Sequence, residues 1–287
     1  MHRGITSAAA VVALAAPATA GAAYPGQNGD IYSAVVFGGI YATQPDGEVR
    51  RVTETPRYVL ALGSVATIRG DSTPASTPDG RTLVFTSDRE SAEAAAQVYA
   101  VAPDGTGLRR LTLDAAYAST PRVAAGDRVL YTRGRGPEGL AASELAVVPL
   151  AGGVPAAVPG TDGAALGDVS PDGRRAVFFQ QQALWTAAVD GSDRQRIADV
   201  GRRFDGASWS PDGRTIAFSN GVDTFVVPAA GGSAPRRFAA GSTPAWSPDG
   251  TLLGVDDPEL GFVVRRPDGS GARELRAGYE PYWAPAS

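Results

Sequence analysis

The sequence lacks cysteine and lysine altogether, and its only histidine and methionine are His2 and Met1. Because both lie at the amino terminus, a chain that has lost its first residues would contain none of these four residue types. That excludes disulfides, cysteine nucleophiles, Cys/His metal sites, imidazole acid–base catalysis and lysine Schiff bases. We therefore expect no cofactor and no enzyme activity of those kinds, and any chemistry must use Asp, Glu, Arg, Ser, Thr or Tyr.

The charge balance is mildly acidic, with 26 basic residues, all of them arginine, against 30 Asp and Glu. A net charge of -4 favours solubility and argues against nucleic-acid binding. Arginine pairs do occur, at Arg50-Arg51, Arg109-Arg110, Arg236-Arg237 and Arg265-Arg266. We interpret them as charges on or beside edge strands, where they oppose sheet-to-sheet aggregation.

Residues 1–20 have the pattern of an export signal. A basic start at Met1-His2-Arg3 precedes an apolar run over Ile5–Ala16, and Ala18-Thr19-Ala20 fits a cleavage site. Cleavage after Ala20 is predicted, with cleavage after Ala23 as the alternative. The apolar run is shorter than the roughly 18 residues that a membrane anchor needs, and no later segment approaches a membrane span. We expect an exported protein, secreted or periplasmic.

One unit is repeated through the rest of the chain. Trp209, Trp246 and Trp283 recur every 37 residues, and Ser/Thr-Pro-Asp-Gly turns followed by apolar strands occur at Thr77–Gly80, Ser170–Gly173, Ser210–Gly213 and Ser247–Gly250. A degenerate copy starts at Thr120-Pro121. The residue types suit a type I turn that joins two antiparallel strands. We expect the recurring Trp side chains to pack between the repeated units and the recurring turn Asp to be architectural.

A second family of turns alternates with the first, among them Pro45-Asp46-Gly47, Pro103-Asp104-Gly105 and Pro267-Asp268-Gly269. Together the two families predict an all-β fold, a six-bladed β-propeller of four-stranded blades, with seven blades as the alternative. The chain enters at a second strand, Gly29–Ser33, and ends on a first strand at Glu280–Pro285. We expect this C-terminal strand to complete the N-terminal blade and close the ring. The predicted domains are a signal over 1–20, a short segment over 21–28 and one propeller over 29–287.

With these repeats written out, above all Trp-Ser-Pro-Asp-Gly-Arg-Thr-Ile-Ala-Phe at Trp209–Phe218, the chain resembles the WD40-like (PD40) repeats of the TolB propeller family. The resemblance covers Gly29–Pro285 and implies the propeller fold. It does not extend to the family's additional N-terminal α/β domain. Related peptidases need a hydrolase domain with a histidine base, and related lyases use histidine-rich metal sites, which this sequence does not supply. The resemblance therefore implies a stand-alone binding propeller.

The candidate binding residues come from aligning the six inner strands, which are the strands that precede the Ser-Pro-Asp-Gly turns. Hydroxyl groups and two carboxylates, those of Asp205 and Glu280, collect where these strands begin. Just after the proline column of the alignment stand Arg122, Asp168 and Tyr282. These five residues are the predicted binding site, a polar funnel at the mouth of the channel. The alternative is that the hydroxyls bond the backbone at strand ends and the charges are solvated.

The expected function is a non-catalytic module that binds a protein, peptide or envelope component, as a monomer. The alternative is a hydrolase or lyase that acts on an extracellular glycan through paired carboxylates, and a propeller without a ligand also remains open. The carboxylates of Asp256-Asp257-Pro258-Glu259 suggest either a hard-cation site or a solvated turn. The irregular stretch Pro56–Ser72 is either a functional cover for one mouth or a packed surface loop.

Overall fold

The computed structural model describes residues 26–34, 38–54, 70–90, 95–113, 116–134, 143–275 and 279–286, without the side chains of 279 and 280. The predicted export signal over 1–20 lies outside the described residues. So does the stretch predicted over Pro56–Ser72 as far as residue 69. Every helix or strand found in the described part of the chain is a β-strand. None of its elements is a helix long and apolar enough to cross a membrane.

The strands form six four-stranded antiparallel sheets, and this confirms the predicted propeller. From the inside outwards, blade 1 is β24 (Tyr279–Pro285), β1 (Asn28–Ala34), β2 (Ile40–Thr43) and β3 (Val49–Arg51). Blade 2 is β4 (Asp71–Ser76), β5 (Leu83–Ser87), β6 (Gln97–Val101) and β7 (Arg109–Arg110). Blade 3 is β8 (Tyr117–Ala124), β9 (Arg128–Gly134), β10 (Ser143–Pro149) and β11 (Ala156–Ala157).

The remaining three blades follow the same order. Blade 4 is β12 (Ala165–Val169), β13 (Arg175–Gln180), β14 (Ala183–Ala188) and β15 (Gln195–Asp199). Blade 5 is β16 (Ala207–Trp209), β17 (Thr215–Ser219), β18 (Asp223–Pro228) and β19 (Arg236–Ala240). Blade 6 is β20 (Ser242–Trp246), β21 (Leu253–Asp257), β22 (Gly261–Arg265) and β23 (Arg273–Glu274).

The ring closes through blade 1, as predicted. Its innermost strand, β24, comes from the C-terminus and pairs antiparallel with β1, with Trp283 opposite Ile31 and Tyr282 opposite Tyr32. Each inner strand contacts the inner strand of the next blade, and β20 contacts β24. Because the last strand pairs with the first, neither end of the repeat array leaves an unpaired inner strand.

The Ser-Pro-Asp-Gly turns have the expected geometry. In blade 5 the Gly213 amide donates to the Ser210 carbonyl over 2.8 Å, and the Ser210 hydroxyl donates to Asp212 Oδ1 over 2.6 Å. Gly213 has φ of 69°, a conformation that glycine adopts without strain. The carboxylate of the turn Asp therefore accepts a hydrogen bond within its own turn, which is a structural role.

The core lies mainly between neighbouring blades. Trp246 packs with Ala217, Val226 and Leu253 where blades 5 and 6 meet. Trp209 belongs to the cluster shared by blades 4 and 5, and Trp283 packs at the junction of blades 6 and 1. The recurring tryptophans therefore pack between blades.

Candidate functional site

The two ends of the channel differ because all six inner strands run in the same direction along it. We call the end at which the inner strands begin the mouth, and the opposite end, which carries the Ser-Pro-Asp-Gly turns, the turn face. Four polar side chains at the mouth, Ser72, Ser119, Asp205 and Ser242, are half-buried. The mouth therefore presents hydroxyl groups and the Asp205 carboxylate to solvent.

Behind these residues, three threonines have an unusual backbone conformation. Thr73, Thr120 and Thr243 have φ of 51°, 53° and 49°, and each precedes a proline. The pairing of the inner strand with the next strand is interrupted by a bulge at the same place. A positive φ is rare for a β-branched residue and indicates a locally strained backbone. The strain thus recurs in blades 2, 3 and 6 around the mouth.

The hydroxyl groups at the mouth bond mainly to one another in blade 2. Thr86 Oγ1 lies 2.8 Å from Ser72 Oγ and 2.9 Å from Thr73 Oγ1. At the equivalent level of blade 3, Thr132 accepts a hydrogen bond of 2.8 Å from the Leu166 amide of blade 4. These bonds hold the bulged strand ends in place and link two blades.

Deeper in the channel lies a group that we call the central cluster, formed by Ser76, Arg122, Asp168, Ser208 and Tyr282. Arg122 and Asp168, from blades 3 and 4, are 2% and 0% exposed, and Arg122 Nε lies 3.5 Å from Asp168 Oδ1. Asp168 Oδ2 also accepts a 2.7 Å hydrogen bond from the Trp209 amide of blade 5. The carboxylate is therefore compensated by a cation on one side and a backbone donor on the other.

Blades 5 and 6 are linked in the same way as blades 4 and 5, by a backbone amide that donates to a side chain of the preceding blade. Ser208 of blade 5 accepts a bond of 3.3 Å from the Trp246 amide of blade 6. The Ser76 hydroxyl of blade 2 lies 3.4 Å from the Tyr282 hydroxyl of blade 1. Burial raises the pKa of Tyr282 to about 12, so this phenol stays neutral at physiological pH. These polar contacts reach all six blades in two sets, one that links blades 3, 4, 5 and 6 and one that links blades 1 and 2.

The structure separates the five predicted site residues into two levels. Arg122, Asp168 and Tyr282 lie together, but they are buried in the central cluster below the mouth and do not line the open funnel expected there. Asp205 lies at the mouth, and the side chain of Glu280 lies outside the described residues. The binding role of all five stays a prediction.

Two carboxyl groups at the mouth, those of Asp205 and Asp256, have a pKa above the ordinary value. Burial raises the pKa of Asp205, and the neighbouring Arg203 charge opposes that shift. Burial also raises the pKa of Asp256, and the neighbouring Thr243 side chain opposes that shift. The Thr243 amide in turn donates to the Asp205 carbonyl over 3.3 Å. Both carboxyl groups therefore belong to residues that contact Thr243.

The acidic stretch at residues 256–259 forms a turn between β21 and β22. Asp257 Oδ1 accepts hydrogen bonds from the Glu259 amide over 3.0 Å and from the Leu260 amide over 3.2 Å. Over the described ranges, no three Asp, Glu, His or Cys side chains are grouped so that they could hold a metal ion. Asp257 therefore has a local role as the cap of its turn.

One buried ion pair was not anticipated from the sequence. Asp71 accepts two hydrogen bonds, of 2.7 and 2.6 Å, from the Arg89 guanidinium, and it also bonds the Thr53 hydroxyl of blade 1. The guanidinium lies 5.3 Å from the Phe85 ring centroid and 5.2 Å from that of Tyr99. No repeated motif contains this pair, so the sequence held no signal for it beyond the individual charges.

Comparison with known proteins adds to the description of the fold. No family model matches the chain, and no curated protein matches it. Solved structures do match. TolB from Acinetobacter baumannii superposes with a TM-score of 0.70 and 17% identity, over 90% of this chain and 67% of that one. A TolB structure from Agrobacterium tumefaciens gives 0.64 and 18%, over 91% and 94% of the two chains.

An oligogalacturonate lyase in complex with manganese is more distant, with a TM-score of 0.54 and 15% identity, over 82% of this chain and 70% of that one. The architecture is therefore that of a six-bladed β-propeller. Within that class it is similar to the propellers of the TolB structures, and this confirms the resemblance expected from the repeats at the level of the fold.

Proposed function

We propose that this protein is an exported, non-catalytic propeller that binds a protein, peptide or envelope component at the mouth of its channel. The observation that supports the proposal is the division of the channel into two levels. The Arg122–Asp168 pair is buried and compensated below the mouth, so its charges hold blades together. What remains open to a ligand among the described residues is a rim of hydroxyl groups with the half-buried Asp205 and Asp256.

Such a rim suits the recognition of a peptide segment. Serine and threonine hydroxyl groups both donate and accept hydrogen bonds, so they can pair with backbone amides and carbonyls. The half-buried Asp205 adds one acceptor for a basic or amide side chain. The strained threonines support this interpretation, since conformational strain often accompanies binding sites that the surrounding fold holds rigid.

The proposal is tested by blocking the mouth. In Ser119→Trp an indole would occupy the rim, whereas in Arg81→Trp the same indole would lie on the exposed turn face as a matched control. Both proteins would be immobilised and exposed to an envelope extract, and retained proteins identified by mass spectrometry. We expect a partner that binds the wild type and Arg81→Trp and is lost with Ser119→Trp. Equal retention by both variants would overturn the proposal.

A second candidate is a glycan hydrolase or lyase that uses Asp205 and Asp256. The specific observation in its favour is that burial raises the pKa of both carboxyl groups, as a general acid requires. A panel of extracellular glycans incubated over a range of pH values separates the two candidates. Turnover that disappears in Asp205→Asn or Asp256→Asn would favour the enzyme and refute the non-catalytic proposal.

A further inference from the structure

Two half-buried carboxyl groups at the mouth, those of Asp205 in blade 5 and Asp256 in blade 6, form no ion pair among the described residues. Other carboxylates of similar or deeper burial lie 2.6–3.7 Å from a guanidinium group, and these are Asp30, Asp71, Glu144, Asp168 and Asp223. Burial of a charged group without a partner is unfavourable. The two carboxyl groups are therefore open to a cation that the chain itself does not supply.

The arginine that lies close to Asp205 does not neutralise it. Burial raises the pKa of Asp205, and the charge of the exposed Arg203 offsets that shift only in part. The two side chains form no ion pair within the ranges that the structure describes. A β-carbon at Gly221, in the hairpin between β17 and β18, would lie 3.3 Å from Asp205 Oδ2. Because residue 221 is glycine, no side chain from this hairpin covers that oxygen.

The Asp256 carboxyl occupies a position that a threonine hydroxyl has in blade 2. Asp256 pairs across the strands at the same level as Thr86. Thr86 Oγ1 lies 2.9 Å from Thr73 Oγ1, whereas the equivalent hydroxyl of Thr243 is buried and has no hydrogen-bond partner in the described part of the chain. It lies beside the Asp256 carboxyl. The Thr243 hydroxyl is therefore a free donor for the charged form of Asp256, the form that a bound cation stabilises.

An aromatic surface adjoins Asp205. The half-buried Phe204 stacks on the half-buried Phe179 of blade 4, with ring centroids 5.3 Å apart and an angle of 7° between the ring planes. Phe204 Cζ would lie 3.2 Å from a β-carbon at Gly167 of the inner strand β12, so the ring reaches the wall of the channel. A Lys or Arg side chain, with its apolar stem and cationic head, complements a carboxylate next to an aromatic ring.

The residues at the mouth favour an organic cation over a metal ion. Ca²⁺ takes about six to eight oxygen ligands, but no three acidic or metal-ligating side chains are grouped for a metal in the residues that the structure describes. An ammonium or guanidinium group needs only carboxylate and hydroxyl acceptors. Building on the proposed function, we propose that the mouth binds a Lys or Arg side chain of its peptide or protein partner at Asp205 and Asp256, with the apolar stem against Phe204.

The test uses a fluorescently labelled peptide of three arginines, blocked at both ends, and the full chain, with binding followed by anisotropy. Asp205→Asn/Asp256→Asn removes both charges with little change of shape. Asp104→Asn/Asp268→Asn is the matched control, because it removes the same net charge from two exposed turns at the turn face. We expect the first double variant to weaken binding about tenfold and the control to bind within about twofold of the wild type.

Two further arms need only the wild-type protein. A peptide with citrulline in place of arginine keeps the shape without the charge and should bind less tightly, and added salt should weaken binding of the arginine peptide. The proposal is overturned if the arginine peptide shows no saturable binding, if the citrulline peptide binds equally well, or if both double variants weaken binding to the same extent. Complete displacement of the peptide by about 1 mM calcium at constant ionic strength would also overturn it, in favour of a metal site.

The envelope-extract experiment separates this proposal from the proposed function. A partner that is lost with both Ser119→Trp and Asp205→Asn/Asp256→Asn supports both. A partner that is lost with Ser119→Trp but retained by the double Asn variant overturns recognition of a basic side chain and leaves binding at the mouth standing. A partner retained by both variants overturns both. Urea unfolding followed by tryptophan fluorescence checks that each variant is folded, and the citrulline comparison decides the question for any variant that is not.

Discussion

The buried Arg122–Asp168 pair provides the sharpest prediction about stability. Replacing Arg122 by Met keeps a side chain of similar length but leaves the Asp168 carboxylate, 0% exposed, without its cation. Two unit charges 3.5 Å apart attract each other by roughly 5 kcal/mol at an effective dielectric constant of about 20. The Trp209 amide still donates to the carboxylate and limits the loss. We expect Arg122→Met to lower the free energy of unfolding by about 3–5 kcal/mol.

The double variant Arg122→Met/Asp168→Asn separates charge from packing. Asn keeps an oxygen for the Trp209 amide and removes the uncompensated charge, so we expect its stability to return to within about 1–2 kcal/mol of the wild type. Urea unfolding at pH 7, followed by tryptophan fluorescence, measures all three proteins. The reasoning is refuted if Arg122→Met loses less than about 1 kcal/mol, or if the double variant is no more stable than the single one. If the single variant does not fold, recovery of folding in the double variant is itself the expected result.

Three other predictions concern stability. The β-carbon of Gly254→Ala would overlap the Phe262 ring, so we expect a loss of about 1–3 kcal/mol in urea unfolding. The exposed pair Gln181 and Gln182 forms a two-residue hairpin with φ of 52° and 63°, so Gln181→Asn/Gln182→Gly should raise the free energy of unfolding by about 0.5–1 kcal/mol. Because burial raises the pKa of Asp205 in the folded state, stability should fall as pH rises from about 4 through that pKa, and Asp205→Asn should remove this component.

Each of these predictions has a matched control. Phe262→Leu combined with Gly254→Ala should recover part of the loss, and full stability of Gly254→Ala alone would contradict the steric argument. Gln181→Ala/Gln182→Ala keeps the strain and should not stabilise the protein. Asp104→Asn, at an exposed turn where hydrogen bonds from Thr106 hold the pKa of the carboxyl below its usual range, should not reproduce this change, and an equal change in both Asn variants would argue against a role for the burial of Asp205.

The fold could be predicted from the sequence because the same turn-and-strand unit is repeated several times along the chain. A Ser-Pro-Asp-Gly turn defines its own local geometry, and its repetition at near-constant spacing identifies four-stranded blades. The closure through β24 followed from where the repeats begin and end. That Arg122, Asp168 and Tyr282 share one level followed from their common column in the alignment, but the sequence placed that level at the mouth rather than buried below it.

Their environment was not predictable in the same way. Asp168 is compensated by Arg122 from the preceding blade and by a backbone amide from the following one. Such contacts depend on how six strands approach one axis and on the sizes of all the side chains at that level, which a linear alignment does not contain. The Ser-Thr-Pro triplets were visible in the sequence, but the positive φ of their threonines coincides with a bulge in the strand pairing that the sequence does not reveal.

The sequence by itself thus determined the blade and the residue types available for chemistry, and it favoured six blades over seven. Each of these depends on local turn geometry, strand periodicity or composition, which neighbouring residues specify. The tertiary structure alone decided that the Arg122–Asp168 pair is buried while Asp205 and Asp256 lie at the mouth. The physical reason is that burial and proximity between blades arise only in the closed ring. Closure brings residues that are far apart in sequence into contact and removes them from water.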